Sequence, residues 1–211
     1  MKKTTPTSSR VQRNREVATQ SILNAARAIM REEGVAALSM QELARRMDMR
    51  APSLYNYFSS KAEIYDTLFR LGFTMFDAHI KELMKTSTGL RDELRINIEG
   101  YMSFALENPD LYQLCFERPV PGFVPSKESL AVSFGILDQS YQRAAQFKKQ
   151  LNTKLTGQQI VDTVIAIAHG LTAMHLSNEP HLPVGQGRFG SLIPIVLSIL
   201  EQAMPLKGES K

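Results

Sequence analysis

The sequence predicts an all-α fold of about nine helices. Three observations carry the prediction. Apolar residues recur at spacings of three and four along most of the chain, the period of a helix with one buried face. A Ser or Thr followed three residues later by Glu or Gln, the pattern of a capping box at a helix start, occurs at Ser39–Glu42, Ser60–Glu63 and Thr156–Gln159. No stretch alternates with period two for long enough to make a strand, and there is no internal repeat.

Residues 1–12 are rich in Lys, Thr and Ser and read as a flexible basic arm. Its Lys2, Lys3 and Arg10, with Arg13 and Arg15 just beyond, could brush a polyanion backbone. The first helix runs over 13–33, with Val17, Ile22, Ala26, Ile29 and Met30 as its buried stripe and Gly34 as its C-cap. Ser39 opens a second helix, Asp48 suits a turn because a short polar side chain tolerates positive φ, and Pro52 fits the first turn of a third. A long helix follows over 61–85, with Ile64, Leu68, Leu71, Met75, His79 and Leu83 on one face. The next helix, 90–107, stops at Asn108-Pro109, and a short helix covers 110–117. A rigid three-proline loop over 118–125 leads to helices at 126–150, 156–179 and 188–204. The organisation is an arm at 1–12, a helix-turn-helix domain at 13–73, a helical body at 74–204 and a tail at 205–211.

The stretch from Ser39 to Lys61 carries the most chemistry. Leu54 and Phe58, four apart, face inward, so Ser53, Tyr55, Asn56 and Tyr57 look out. A helix this short with polar side chains outward is either a connector in a bundle or a recognition helix for a DNA major groove. Charge favours the second reading. Residues 1–61 hold eleven Lys/Arg against five Asp/Glu, a balance of +6, while the remaining 150 residues sum to −2. A basic third on a slightly acidic body is the footprint of a chain whose head meets a polyanion.

Other classes find little support. There is no nucleophile elbow, phosphate loop, dinucleotide fingerprint or paired metal-ligand motif, so the chain does not read as an enzyme and no cofactor or metal is expected. Asp162, His169 and His175 lack the i, i+4 pairing of a helical metal clip. The single cysteine, Cys115, excludes an internal disulfide framework and sits in an apolar run, which suggests an inert thiol; redox control through it is the alternative. The apolar stretch 192–200 is too short to cross a bilayer and contains Pro194, and the N-terminus has no apolar core of a signal peptide. A soluble, cytoplasmic chain with no membrane partner is therefore expected.

The run APSLYNYFSSKAEIY resembles the signature of the tetracycline-repressor (TetR) family of bacterial transcription regulators, through Ser53, Leu54, Tyr55, Phe58, Lys61 and Glu63. The preceding ILNAARAIMREEGVAALSMQELARRM is similar to the family's first two helices, and the resemblance covers roughly 13–73. The family's usual turn glycine is Asp48 here and its usual Ser/Thr cap is Arg50. His169-Gly170 resembles a subclass with a Trp-His-Gly-type C-terminal domain, although the chain has no Trp.

The resemblance implies a repressor that binds a palindromic operator in double-stranded DNA as a homodimer and is released by a small, mostly apolar effector; an effector-independent DNA-binding protein is the alternative. The expected DNA contacts are Ser39, Gln41, Arg50, Ala51, Pro52, Ser53, Tyr55, Asn56, Tyr57 and Lys61. Lys61 at a helix N-terminus and the Tyr55 and Tyr57 hydroxyls suit phosphate, while the Arg50 guanidinium suits either G O6/N7 or a phosphate. Candidate effector contacts are Tyr101, Met102, Phe104, Leu114, Phe116, Phe134, Tyr141 and His169, residues that ordinary core packing would also explain. The last two long helices would form the dimer interface, through Ile160, Val164, Ile167, Ala168, Leu171 and Met174 on one and Leu192, Ile195, Val196, Ile199 and Leu200 on the other, part of these being core.

Overall fold

A computed structural model of the chain describes residues 6–208. They are helical with no strand among them; Leu151 and Leu206 form one isolated antiparallel bridge. The helices are α1 (Pro6–Glu33), α2 (Met40–Arg46), α3 (Ala51–Leu54), α4 (Lys61–Met84), α5 (Leu90–Glu107), α6 (Pro109–Tyr112), α7 (Lys127–Phe147), α8 (Gly157–Asn178), α9 (Gly187–Gly190) and α10 (Ile193–Ala203).

Most boundaries follow from the sequence signals, and the exceptions have local causes. Residues 6–12, expected in the arm, belong to α1, while Lys2 and Lys3 lie outside the described residues. Gly34 takes φ 93° and its N–H bonds to Met30 C=O at 3.1 Å, the left-handed C-terminal stop a glycine supplies. The helix expected at 110–117 is α6 followed by a π-helical turn, Gln113–Glu117. The last helix is split into α9 and α10, because Pro194 takes a first-turn position of α10 and cannot continue a helix from before it. Thr156 and Gln159 make a full capping box. At Ser39 and Ser60 only half of each box forms: Glu42 turns to Arg45 and Arg46, and Glu63 accepts from Ser59 N–H and O–H instead.

The chain divides into two compact units, residues 6–72 with 110–129, and 73–109 with 130–208. The split falls inside α4, after Gly72, and the first unit takes in α6 and the following loop, which the sequence assigns to the body. Its core is Ile22, Ala26, Ile29, Met30, Leu38, Leu43, Leu54, Phe58, Ile64 and Leu68, all nearly inaccessible. Val17 departs from the expected stripe and is 62% exposed. In the second unit α5 packs along α8, and α9 and α10 pack on α8 and α5 respectively. Among the described residues, α8 rather than the stretch 192–200 is long and apolar enough to cross a membrane, and it packs on α5 and α9.

The two stretches of the first unit are joined by buried polar bonds. Asp110, 1% exposed, accepts from Arg27 Nε at 2.6 Å and Arg31 Nε at 2.7 Å, both on α1. Asp66 on α4 accepts from Ser126 N–H at 2.7 Å and from the Ser126 and Ser129 hydroxyls at 2.9 Å. Cys115 Sγ donates to Phe69 C=O at 3.5 Å, and a Cβ added at Gly72 would stand 2.5 Å from that sulfur. Only glycine lets α4 and the π turn approach so closely. Burial alone would raise the Asp110 pKa, but the two guanidinium groups outweigh it and hold the carboxyl below the usual range. Its contribution is therefore complete above the ordinary carboxylate pKa of about 3.9 and is lost as pH falls through the lower folded value. Asp110→Asn should lower unfolding free energy at pH 7 by about 3 kcal/mol, and the gap between variant and wild type should begin to narrow below about pH 4 and close only below the lowered folded value. Urea titrations at pH 7 and pH 3.5 measure both; a gap that persists unchanged at pH 3.5 would show the charge is not its source.

Candidate nucleic-acid interface

The candidate surface is built on a turn that the sequence forces to be tight. α2 ends at Met47. Asp48 N–H then bonds to Arg45 C=O at 3.2 Å and Met49 N–H to Ala44 C=O at 2.9 Å. This pair of bonds is the Schellman arrangement, which places its middle residue in the left-handed region. Asp48 sits there at φ 50°, where glycine is the usual occupant. Arg50 is extended at the N-cap of α3, its C=O accepting from Ser53 N–H at 2.8 Å, and its side chain caps nothing. Pro52 occupies the first turn, as expected. Beyond Leu54 the chain tightens: Tyr57 N–H and Phe58 N–H both bond to Leu54 C=O, at 2.9 and 3.1 Å.

Burial then sorts the side chains. Leu54 at 0% and Phe58 at 3% exposure anchor the segment from below. Arg50, Pro52, Tyr55 and Asn56 are exposed, and Ala51, Ser53 and Tyr57 are half-buried. Gln41 is exposed on the first turn of α2. Lys61, the first residue of α4, is exposed, with its ammonium 5.7 Å from the Tyr65 ring centroid. These residues therefore lie on one short run around α3 and the start of α4, with the positive end of the α4 dipole among them. Ser39 is already used: its hydroxyl accepts from Glu42 N–H at 3.1 Å.

Arg15 joins this surface by a route the sequence does not reveal. From α1, its guanidinium donates to Asn56 C=O at 3.0 Å and lies 5.9 Å over the Tyr57 ring. The partners are 41 residues apart, and no local pattern announces the contact. Arg46 is held by Glu32, Glu33 and Glu42, and Arg45 by Glu42. Hydrogen bonds from Arg45, then Arg46, push the Glu42 pKa down to about 2. Arg10, Arg13 and Arg50 have no hydrogen bond or ion pair among the described residues, so their charge faces solvent. Tyr65 O–H donates to Val35 C=O at 2.6 Å, and burial pushes its pKa up to about 12, so it braces α4 against the α1–α2 connection as a neutral group.

Residues 22–68 match the model for bacterial regulatory proteins of the tetR family, a span that contains α2, the Asp48 turn, α3 and the start of α4. Residues 22–68 thus carry the N-terminal region of the tetR family. It is 30% identical over 97 residues to the HTH-type transcriptional activator FasR of Mycolicibacterium smegmatis, covering 46% of this chain and 44% of that one. It is 31% identical over 93 residues to the HTH-type transcriptional regulator YobS of Bacillus subtilis, covering 44% and 48%. The chain thus spans just under half the length of these curated relatives. A TetR family transcriptional regulator from Chloroflexus aurantiacus shares its fold at a TM-score of 0.67 and 19% identity, over 89% of this chain and 93% of that one. The family and these relatives are regulators, not enzymes.

The effector candidates do not form one group. Leu114 and Phe116 belong to the first unit and the other six to the second. Within the second unit Tyr101 O–H and His169 Nδ1 are 3.0 Å apart, and Phe76 meets both Tyr101 and Phe104 edge-on at 5.6 and 5.3 Å. Met102 is buried, Tyr141 O–H bonds to Asp162 at 2.8 Å, and Phe134 is 58% exposed on α7. His175 Nε2 pairs with Leu182 C=O at 3.0 Å, so Asp162, His169 and His175 each have a separate partner.

Because Asp48 is in the left-handed region with its side chain exposed, Asp48→Gly should relieve backbone strain. The expected gain is up to about 1 kcal/mol of unfolding free energy. Asp48→Val should cost at least as much, and a thermal melt of both variants reads the sign.

Proposed function

We propose that this chain is a DNA-binding transcriptional repressor that grips a palindromic operator as a homodimer and lets go when a small, mostly apolar effector enters the second unit. The observation that carries the reading is the run Arg50, Ser53, Tyr55, Asn56 and Lys61, presented around α3 and the α4 N-terminus and anchored beneath by Leu54 and Phe58. A helix of this size can enter a major groove with its N-terminal side chains at base edges. Arg50 supplies a bidentate donor for G O6/N7 or a phosphate, and Gln41 and Ser53 flank it. Lys61 and the α4 dipole take a phosphate, and the Tyr55 and Tyr57 hydroxyls take others. Arg15 is a positioning residue that fixes the Asn56 backbone and the Tyr57 ring.

Dimerisation is supported by apolar surface left open on the second unit. Ile160, Val164, Ala168 and Leu200, expected at an interface, are core residues at 2–7% exposure. Ile195 and Ile199, one turn apart on α10, are 56% and 58% exposed. On α8, only 28% of the most apolar stretch is buried, and Thr163, Ala166, Gly170 and Met174 form its open stripe. Small residues there let a second copy's helix approach closely, and the isoleucines give the contact its driving force. The effector reading draws on the Phe76, Tyr101 and Phe104 rings, with the Tyr101–His169 pair as a polar handle.

The test is a mobility shift on DNA upstream of the chain's own gene, over a salt series. Wild type should bind a palindrome tightly. Tyr55→Ala should weaken binding at least tenfold, and Lys61→Ala should flatten the slope of log K against log salt by about one unit per protomer. Equal binding to all sequences, insensitive to both substitutions, would make α3 a bundle connector. Ile195→Asp with Ile199→Asp should give a folded monomer by sedimentation, with operator affinity down at least tenfold. A variant that remains dimeric would place the interface elsewhere.

A further inference from the structure

The second unit carries a basic cleft that neither DNA binding nor dimerisation uses. After α7, the 3-10 turn Lys148–Gln150 reverses the chain, and residues 150–152 run beside 205–207. Asn152 N–H donates to Pro205 C=O at 2.8 Å and Lys207 N–H to Gln150 C=O at 2.9 Å, on either side of the Leu151–Leu206 bridge. Leu151, 3% exposed, pins this crossing. The bonds bring Lys207 to Lys148 and Lys149, and the three line a cleft of about 380 Å³ together with Asn152 and Thr153.

Among the described residues no carboxylate compensates the charge of this cleft. None of its three lysines has an ion pair among the described residues, whereas Lys81, Lys85, Arg91, Arg95 and Arg143 of the same unit all do. No acidic side chain lines it. Lysines near a helix C-terminus are an ordinary response to the helix dipole, but that dipole amounts to about half an elementary charge. It cannot neutralise three ammonium groups. The neutral polar groups add donors: the Asn152 side chain is exposed, and the Thr153 hydroxyl accepts Leu155 N–H at 3.3 Å while keeping its own O–H free to donate. The volume lies in the range of small-ligand sites and is too small for a macromolecular groove.

We propose that this cleft binds a small polyanion, a phosphorylated or polycarboxylated metabolite, between Lys148, Lys149 and Lys207, with Asn152 and Thr153 donating to the same oxygens. The bound anion ties the segment after α10 to the connection that leads into α8. It is therefore a second chemical input to this unit, distinct from an apolar effector and independent of the DNA-binding reading.

The test is a calorimetric and thermal-melt titration of the full chain with inorganic pyrophosphate and with citrate, holding ionic strength constant with sodium chloride. The N-terminal unit is also basic, so two variants separate the sites: K148Q/K149Q/K207Q and R50Q/K61Q. Saturable binding with a rise in melting temperature should be kept in R50Q/K61Q and weakened at least tenfold in K148Q/K149Q/K207Q. A response equal to that of chloride alone, or one unchanged in the triple variant, overturns the proposal. Should the triple variant unfold, amide NMR shifts decide: pyrophosphate should move the Asn152 and Thr153 signals in wild type and much less in K207Q. If those two amides do not move, the cleft is not an anion site.

Discussion

A carboxylate removed from water needs compensation, and Asp110 receives it from two arginines of α1. That requirement organises the first unit. The unit is made of two stretches of chain with α5 intervening, so nothing in chain connectivity keeps residues 110–129 against residues 6–72. A hydrophobic contact would let them slide. A bidentate Arg27 and a second donor from Arg31, one turn further along α1, fix both distance and rotation. Asp66 does the same at the start of α7 through Ser126 and Ser129, and Gly72 lets the π turn with Cys115 close against α4. Three polar or steric locks thus seat α6 and its loop against α1 and α4.

The α3 segment depends on that frame because it cannot stand alone. Four helical residues and a few tightened turns contribute far too few hydrogen bonds to offset helix nucleation. Its stability comes from Leu54 and Phe58 reaching the core below, from the Schellman turn at Asp48, and from Arg15 over Asn56 and Tyr57. The side chains left over are the polar ones. Structure and chemistry are divided by helical period: every fourth residue anchors, and the rest are presented.

Features set by neighbouring residues were legible in the sequence. The fold class, the turn at Asp48, the anchors Leu54 and Phe58 and the stop at Gly34 all follow from residue identity within a few positions. So does the Thr156 capping box. Features set by competition or distance were not. Glu42 could bond to Ser39 N–H or to two arginines, and the charged partners won. The helix expected over 188–204 runs through Pro194, yet the proline's ring and missing N–H divide it. The Asp110 clamp and the Arg15 contact span tens of residues and leave no periodic trace. The apolar stripes of α8 and α10 were visible, but period alone does not say which side of a helix its own chain will cover. Ile160 and Val164 went inward, while Ile195 and Ile199 remained open.

Charge shows the same distinction and changes the electrostatic argument. The +6 balance of residues 1–61 suggests a diffuse attraction for a polyanion. In the folded chain much of that charge is used internally: Arg27 and Arg31 on Asp110, Arg45 and Arg46 on Glu32, Glu33 and Glu42. Among the described residues the groups left facing solvent are fewer and better placed, with Arg10 and Arg13 along α1, Arg50 before α3 and Lys61 at the head of α4. Arg50 and Lys61 flank α3. A polyanion would therefore be met by positioned charges rather than by a general basic field, and each such group should count about one phosphate in the salt dependence. By the same accounting, the lysines at the end of α7 are conspicuous. Among the described residues of this unit Lys81, Lys85, Arg91, Arg95 and Arg143 are paired, whereas Lys148, Lys149 and Lys207 stand together around a cleft that no acidic side chain lines.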